Sequence, residues 1–122
     1  MVRMKKILSV VLLGTGLAGS AHLATAAETD AADGRQLVEL ALAYEHGEGV
    51  PRDPERAAEL YCDAVRSGSA EAMYNLGWMY ANGRGVGRDD GYAATLFEMA
   101  MVKGHGGAEK ARRLVGDYTG AV

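Results

Sequence analysis

The chain has few of the residues that stabilise small proteins through cross-links or bound metals. Its 122 residues include a single cysteine, Cys62, so no disulfide bond can form within the chain. Three histidines are present, and neither His46 nor His105 has a second histidine or a cysteine at a spacing typical of metal ligands. The sequence therefore predicts no disulfide framework and no metal site, and no motif indicates a cofactor.

Long apolar runs are also lacking, because the one near the N-terminus spans only residues 7–13 before glycines interrupt it. A membrane-spanning helix needs about 20 apolar residues. The run follows a basic start, and residues 24–26 read Ala-Thr-Ala, which is typical of a signal-peptidase site. Residues 1–27 are therefore predicted to be a secretory signal peptide cleaved near Ala26 or Ala27. The expected location is the periplasm or the exterior, and the alternative is an uncleaved N-terminal anchor.

Positive charge is scarce once this segment is removed. Loss of Arg3, Lys5 and Lys6 leaves 10 of the 13 basic residues against 16 acidic ones, a formal charge of −6. Nucleic acid is therefore an unfavourable partner, and stable membrane insertion after cleavage is not expected. A mature chain of about 95 residues buries only a modest core, so self-association is a further expectation.

One stretch of sequence occurs twice, 36 residues apart. The two copies read Tyr44-x2-Gly47-x-Gly49-Val50-x2-Asp53 and Tyr80-x2-Gly83-x-Gly85-Val86-x2-Asp89. Residues 37–72 align with 73–108 without a gap, and Tyr61 then aligns with Phe97. A fixed period of this length indicates repeat architecture, in which each unit buries its apolar face against a neighbour.

Each unit has the pattern of two helices joined by a glycine turn. The first helix has an apolar stripe at helical spacing, and Gly77 replaces Ala41 in the second unit, which predicts a close helix approach there. Asp53 and Asp89 are predicted to cap the second helices. The stripes are Leu37, Leu40, Ala41 and Tyr44 with Met73, Leu76, Gly77 and Tyr80, then Ala57, Leu60, Tyr61, Ala64 and Val65 with Ala93, Leu96, Phe97, Ala100 and Met101.

The repeated positions resemble the Sel-one-like repeat family, which is related to tetratricopeptide solenoids. The resemblance covers about residues 36–108 and rests on Ala72-x3-Leu76-Gly77-x2-Tyr80-x2-Gly83-x-Gly85-Val86-x2-Asp89-x3-Ala93-x2-Leu96-Phe97-x2-Ala100-x3-Gly104. It implies an all-α fold, a right-handed α/α superhelical solenoid, and a role as a protein-interaction adaptor without catalysis. Secreted, cysteine-rich members imply an alternative, β-lactam binding or hydrolysis, but those carry a cysteine pair in each repeat and this chain has only Cys62.

The resemblance also predicts the domain organisation. Residues 28–35 are expected to form a short linker before two helix-turn-helix repeats. A capping helix and tail are expected to follow, with Arg112 in place of the apolar residues Leu40 and Leu76. The predicted segments after the linker are 36–71, 72–107 and 108–122.

A concave face lined by the first helices is the predicted binding site for a protein or peptide. Residues about half a turn from the buried stripe are expected to point into it, with Trp78 as the main anchor, and Leu114 extends this surface on the last helix. The alternative for Trp78 is an ordinary core residue between repeats. The predicted site residues are Val38, Leu42, His46, Glu71, Tyr74, Trp78, Asn82 and Lys110.

The nucleophilic side chains show no recognisable catalytic arrangement. Ser67, Ser69, Thr95 and Cys62 have no histidine placed as a base by any known spacing. Cys62 is expected to be partly exposed on the second helix of the first unit. It is interpreted either as the site of an intermolecular disulfide or as a small packed residue.

Overall fold

The structure, a computed structural model, describes residues 26–119, with side-chain detail over residues 33–116. This part of the chain forms five α-helices and no strand. The predicted signal peptide lies outside the described residues, except for Ala26 and Ala27. The helices are α1 (Ala26–His46), α2 (Pro54–Arg66), α3 (Ala70–Asn82), α4 (Asp90–Val102) and α5 (Ala108–Thr119).

The segment expected to be a linker, residues 28–35, lies within helix α1 instead. It contains no proline, and its alanines and acidic residues are compatible with a helix. Gly34 is buried, and a Cβ placed there would lie 3.4 Å from Cβ of Ser67, in the turn after α2. Helix α1 is therefore long enough for its N-terminal half to reach the turn that joins the two repeats.

Aspartate caps begin the second helix of each repeat, as the sequence predicts. The side chain of Asp53 accepts a hydrogen bond of 3.0 Å from the backbone N–H of Arg56, and Asp89 accepts one of 2.9 Å from that of Tyr92. Ser69 caps α3 in the same manner, accepting from the Ala72 N–H at 3.2 Å. These side chains satisfy amides that have no partner within the helix.

Helices adjacent in the chain pack against one another, and α3 also contacts α1. The core runs along the stack through Tyr61, Leu76 and Phe97, each at most 1% exposed. A Cβ added to Gly77 would lie 2.6 Å from Cε1 of Phe97, so the missing side chain makes room for the ring. The architecture is an all-α solenoid, which confirms the predicted fold class.

Equivalent positions differ in burial according to their place in the stack. Leu40 was predicted to lie on the buried stripe, yet it is 43% exposed, whereas its counterpart Leu76 is 1% exposed. Leu76 belongs to the core cluster that contains the α2 residues Leu60 and Tyr61, and among the described residues no helix precedes α1 to cover Leu40 in the same way. Met101 was also predicted to lie in a core stripe and is 37% exposed.

Helix α5 presents charged pairs on its surfaces. Arg112 approaches Glu98 of α4 with 3.9 Å between Nη1 and Oε1. Arg113 and Glu109 form an ion pair one turn apart, at the positions equivalent to Gly77 and Met73. The surface that α3 uses to pack against its following helix is therefore polar in α5, and the capping role of α5 stays a prediction.

Candidate functional site

Helices α1, α3 and α5 occupy equivalent places at the 36-residue period, and we call them the first helices. They carry three apolar side chains at equivalent positions. These side chains are Leu42 of α1, Trp78 of α3 and Leu114 of α5, and each lines one of two crevices between successive first helices. The N-terminal crevice, between α1 and α3, has a volume of about 260 Å³. The C-terminal crevice, between α3 and α5, has a volume of about 330 Å³. We call the two crevices together the concave face.

The N-terminal crevice brings together three of the predicted site residues. Val38, Leu42 and Glu71 line it, together with Arg35 and Glu39. Val38 is 4% exposed and belongs to the core cluster, so it contributes to the floor and is not free to act as an anchor. This crevice combines a small apolar floor with exposed charges of both signs.

The C-terminal crevice contains two further predicted residues, Trp78 and Asn82. Its floor includes Leu114, which is 44% exposed, and at its edge Arg88 donates two hydrogen bonds of 3.1 Å to Asp90. An apolar floor with a polar edge suits an apolar side chain whose neighbouring backbone groups can be hydrogen-bonded at the edge.

Trp78 serves both the core and the crevice. Its ring centroid lies 5.2 Å from that of Phe97 in an edge-on arrangement, and the side chain is half-buried. Trp78 also lines the C-terminal crevice. Trp78 therefore supports the packing and also forms part of the crevice wall, and its role as a binding anchor stays a prediction.

The other predicted site residues do not line either crevice. Tyr74 is half-buried, with its ring stacked on His105 at 4.1 Å between centroids and 19° between planes. It also contacts Phe97 at 5.8 Å between centroids, so its ring is held in the packing between α3, α4 and the turn before α5. His46 and Lys110 are exposed at the surface. A binding role for these residues stays a prediction.

A buried carboxylate on α1 was missed from the sequence. Glu45 is 5% exposed, accepts a 2.8 Å hydrogen bond from the Tyr61 hydroxyl at Oε2, and lies 2.6 Å from Nη2 of Arg84 at Oε1. In the second repeat the equivalents of Glu45 and Tyr61 are Ala81 and Phe97. The joint replacement of an acid and a hydroxyl by apolar residues was the signal that could have revealed this pair.

The cluster formed by Glu45, Tyr61 and Arg84 joins the two repeats. Its members come from α1, from α2 and from the loop after α3. The pKa of the Tyr61 hydroxyl lies well above its usual range. Burial is the main cause, and the hydrogen bond to Glu45 is the second. The hydroxyl is therefore kept protonated and acts as a donor to the carboxylate.

The nucleophilic side chains of the first repeat have structural partners. Ser67 donates a hydrogen bond to the Asp63 carbonyl, and Ser69 caps α3. Cys62 is half-buried, and burial raises the pKa of its thiol.

Over the part of the chain that the structure describes, no three His, Cys, Asp or Glu side chains are grouped as metal ligands would be. Within residues 26–119, no helix combines the length and the apolarity that a membrane span requires.

Comparison with known families identifies the repeat unit. The Sel1 repeat model matches residues 37–69 and residues 70–101, which together make up more than half of the chain. These matches cover α1 from Leu37, α2, α3 and nearly all of α4. The sequence has no match among curated proteins.

Two solved structures are similar to this chain. A Sel1 repeat protein from Oxalobacter formigenes has a TM-score of 0.63 and 30% identity, over 66% of this chain and 32% of its own. A protective antigen present in uropathogenic Escherichia coli strains, displaying an SLR fold, has a TM-score of 0.57 and 37% identity, over 58% of this chain and 15% of its own. The chain thus spans a third or less of the length of these relatives.

Proposed function

Because the chain belongs to the Sel1 repeat family, we propose that it is a periplasmic or secreted adaptor, which binds a protein or peptide through its concave face and performs no catalysis. The family is characterised by repeat scaffolds that mediate protein interactions. The observation that carries the proposal is the periodic row Leu42, Trp78 and Leu114, with a crevice between each pair of first helices. Export is supported by the signal-peptide pattern of residues 1–27.

The C-terminal crevice is the proposed anchoring point for the partner. It is the larger of the two, and it offers the exposed Leu114 beside the half-buried Trp78. Apolar and aromatic side chains surrounded by a polar edge commonly supply most of the binding energy at such surfaces. A partner segment with an apolar residue at its centre fits this crevice.

Two matched leucine variants test the site without disturbing the core. Leu114→Asp places a charge on the crevice floor, and Leu40→Asp places one on a leucine that is also about 40% exposed but lines no crevice. Each purified protein is used for affinity capture from envelope extract, after circular dichroism has shown that it is helical. The proposal expects a specific partner that binds wild type and Leu40→Asp, with at least a tenfold loss for Leu114→Asp.

The result would contradict the proposal if Leu114→Asp retained the partner at wild-type affinity. It would also contradict it if Leu40→Asp were the variant that lost binding. Export has a separate test, in which cell fractionation and the mass of the mature protein show whether cleavage occurs near Ala26 or Ala27. An uncleaved chain in the cytoplasmic fraction would contradict the proposed location.

A further inference from the structure

Helix α4 has a stripe of exposed, mainly apolar residues on the surface away from the core. Tyr92, Thr95, Met99 and Val102 follow one another at steps of three, four and three residues, and all four are exposed. Tyr92 is 43% exposed, Met99 38% and Val102 87%. We call these four residues the α4 stripe. Steps of three and four place them on one face of the helix, at the spacing of a helix-pairing seam.

The equivalent face in the first repeat is fully charged. The positions 36 residues earlier hold Arg56, Glu59, Asp63 and Arg66, all exposed. They form two ion pairs, between Arg56 and Glu59 at 2.6 Å and between Asp63 and Arg66. The first repeat thus presents an ordinary solvated surface. The second repeat carries none of these four charges at the same place, which is unexpected for a surface that only contacts water.

The α4 stripe is held in a defined conformation. The Tyr92 ring packs edge-on against Tyr80, with centroids 4.6 Å apart and an angle of 87° between planes. The Thr95 hydroxyl donates a 3.2 Å hydrogen bond to the Gly91 carbonyl, so its polar group already has a partner within the helix. A fixed ring and a satisfied hydroxyl reduce the entropic and desolvation costs of covering this surface.

Charge at the two ends of α4 indicates what covers the stripe. Asp89 and Asp90 lie at the N-terminal end of the helix, and Lys103 lies at its C-terminal cap. Because Arg88 pairs with Asp90, Asp89 carries the remaining negative charge at that end. A second α4 packed in the antiparallel direction would bring Asp89 of each copy to the lysine end of the other, and would also oppose the helix dipoles. A parallel copy would place like charges together. The α4 stripe and the charges at its two ends are therefore complementary to those of a second, antiparallel copy.

We propose that the α4 stripe is a dimer interface, in which a second copy of this chain packs its own α4 antiparallel across a twofold axis. Such an interface uses the same residues on both copies. Tyr92 of each copy would face Val102 of the other, and Thr95 would face Met99. None of the four stripe residues lines either crevice, so the α4 stripe is a different surface from the concave face.

The area of the α4 stripe limits the expected affinity of the dimer. A stable interface buries roughly 1,600 Å² in total, and a seam between two helices of 13 residues is smaller than this. The dimer is therefore expected to be weak, with a Kd of about 10–100 µM. It would form where the protein is concentrated or where both copies are held by one assembly.

Sedimentation equilibrium of the purified protein over about 5–500 µM tests the proposal, since this range brackets the expected Kd. In one variant, Thr95→Glu, Met99→Asp and Val102→Arg transfer the charges of α2 to α4, and Tyr92 is retained because it packs on Tyr80. Leu40→Asp is the control, because it charges an exposed leucine away from the stripe. We expect wild type and the control to dimerise with the same Kd, and the charged variant to lose at least tenfold in affinity.

Cysteine cross-linking tests the direction of the helices. In a Cys62→Ser background, Thr95→Cys and Met99→Cys proteins are mixed and oxidised. The antiparallel arrangement predicts that disulfides form mainly between residue 95 of one copy and residue 99 of the other. Wild type that stays monomeric throughout the range, a charged variant that dimerises normally, or disulfides mainly between identical positions would each overturn the proposal.

Discussion

The Tyr61 hydroxyl donates a 2.8 Å hydrogen bond to the buried Glu45 carboxylate, and both residues are replaced by apolar ones at the equivalent positions of the second repeat. The pair in the second repeat is Ala81 and Phe97. One repeat thus fills this position with a hydrogen-bonded pair, whereas the other fills it with a packed ring. The carboxylate has an additional partner in Arg84, so the polar version also connects to the following repeat.

A double-mutant cycle should show that the Glu45 and Tyr61 side chains are coupled. Tyr61→Phe removes one hydrogen bond to a buried charge and is expected to cost about 1–3 kcal/mol, while Glu45→Ala also leaves Arg84 without its carboxylate. The combined Glu45→Ala, Tyr61→Phe variant recreates the pair of the second repeat. Its loss in urea unfolding should be smaller than the sum of the single losses, and strictly additive losses would show that the bond contributes nothing.

Stability should decrease in alkaline solution because of Tyr61. Burial and the hydrogen bond to Glu45 raise the pKa of this hydroxyl above its ordinary value of 10.0. The unfolded chain then releases the proton near pH 10 while the folded protein retains it, so the contribution is complete below pH 10 and is lost as the pH rises above it.

The measurement is the free energy of unfolding of wild type and Tyr61→Phe between pH 8 and 11. The wild-type curve should fall more steeply than that of the variant above pH 10, because only wild type carries this proton. Parallel curves over the whole range would contradict the assignment.

Gly49 and Gly85 offer a matched test of contact between repeats. Their φ values are +74° and +70°, so alanine is strained at both positions to a similar degree. A Cβ at Gly85 would lie 2.3 Å from the Pro54 carbonyl oxygen at the start of α2, whereas a Cβ at Gly49 meets no atom within 4 Å. Gly85→Ala should therefore lower Tm more than Gly49→Ala.

The free energy of unfolding of Gly85→Ala is expected to be lower than that of Gly49→Ala by about 1–3 kcal/mol. The reason is that the backbone at the start of α2 must shift to admit the new methyl group. For a domain of this size it corresponds to a Tm lower by roughly 4–8 °C for each kcal/mol. Thermal unfolding followed by circular dichroism measures both variants. Equal Tm values would mean that the loop of the second repeat does not press against α2.

Cys62 should react slowly with alkylating reagents while the protein is folded. Burial raises the pKa of the thiol above its ordinary value of 9.0, and Asp63 and Glu59 act in the same direction against the lowering effect of Arg66. Less thiolate is therefore present at pH 7.5 in the folded protein than in the unfolded chain. Iodoacetamide labelling followed by mass spectrometry, with and without urea, measures the ratio. Equal rates in the two conditions would contradict the expectation.

The repeat period and the helix caps could be predicted because they depend on local sequence. Asp53 and Asp89 lie three residues before the amides they cap, and Gly77 marks the place where Phe97 approaches the helix. Residues close in sequence, or repeated at a fixed offset, carry this information directly.

Burial at the concave face and at the ends of the stack could not be predicted in the same way. Leu40 and Leu76 have the same local pattern, but only Leu76 has a preceding helix to cover it among the described residues. Val38 is buried in the core, although it was expected to be accessible to a partner. Residues 28–35 extend α1, although they were expected to form a linker. Each of these outcomes depends on contacts between distant parts of the chain.

The concave face was anticipated as a surface but not as two crevices. Trp78 was expected either to bind or to pack; its ring packs on Phe97 and the residue also lines the C-terminal crevice, while binding stays a prediction. Glu45 was missed because a single glutamate in a helix is normally solvated. Its burial depends on Arg84, which is 39 residues away in the sequence.

The two outermost of the described helices, α1 and α5, differ in the surface that they leave exposed. Leu40 of α1 is 43% exposed at the position where Leu76 is packed inside the stack, whereas Glu109 and Arg113 of α5 form an ion pair at the positions that α3 uses to pack against its following helix. An additional unit designed to pack ahead of α1 would have Leu40 as an apolar contact. One appended after α5 would first require the exchange of both charges, so engineering of longer versions should proceed from the N-terminal side.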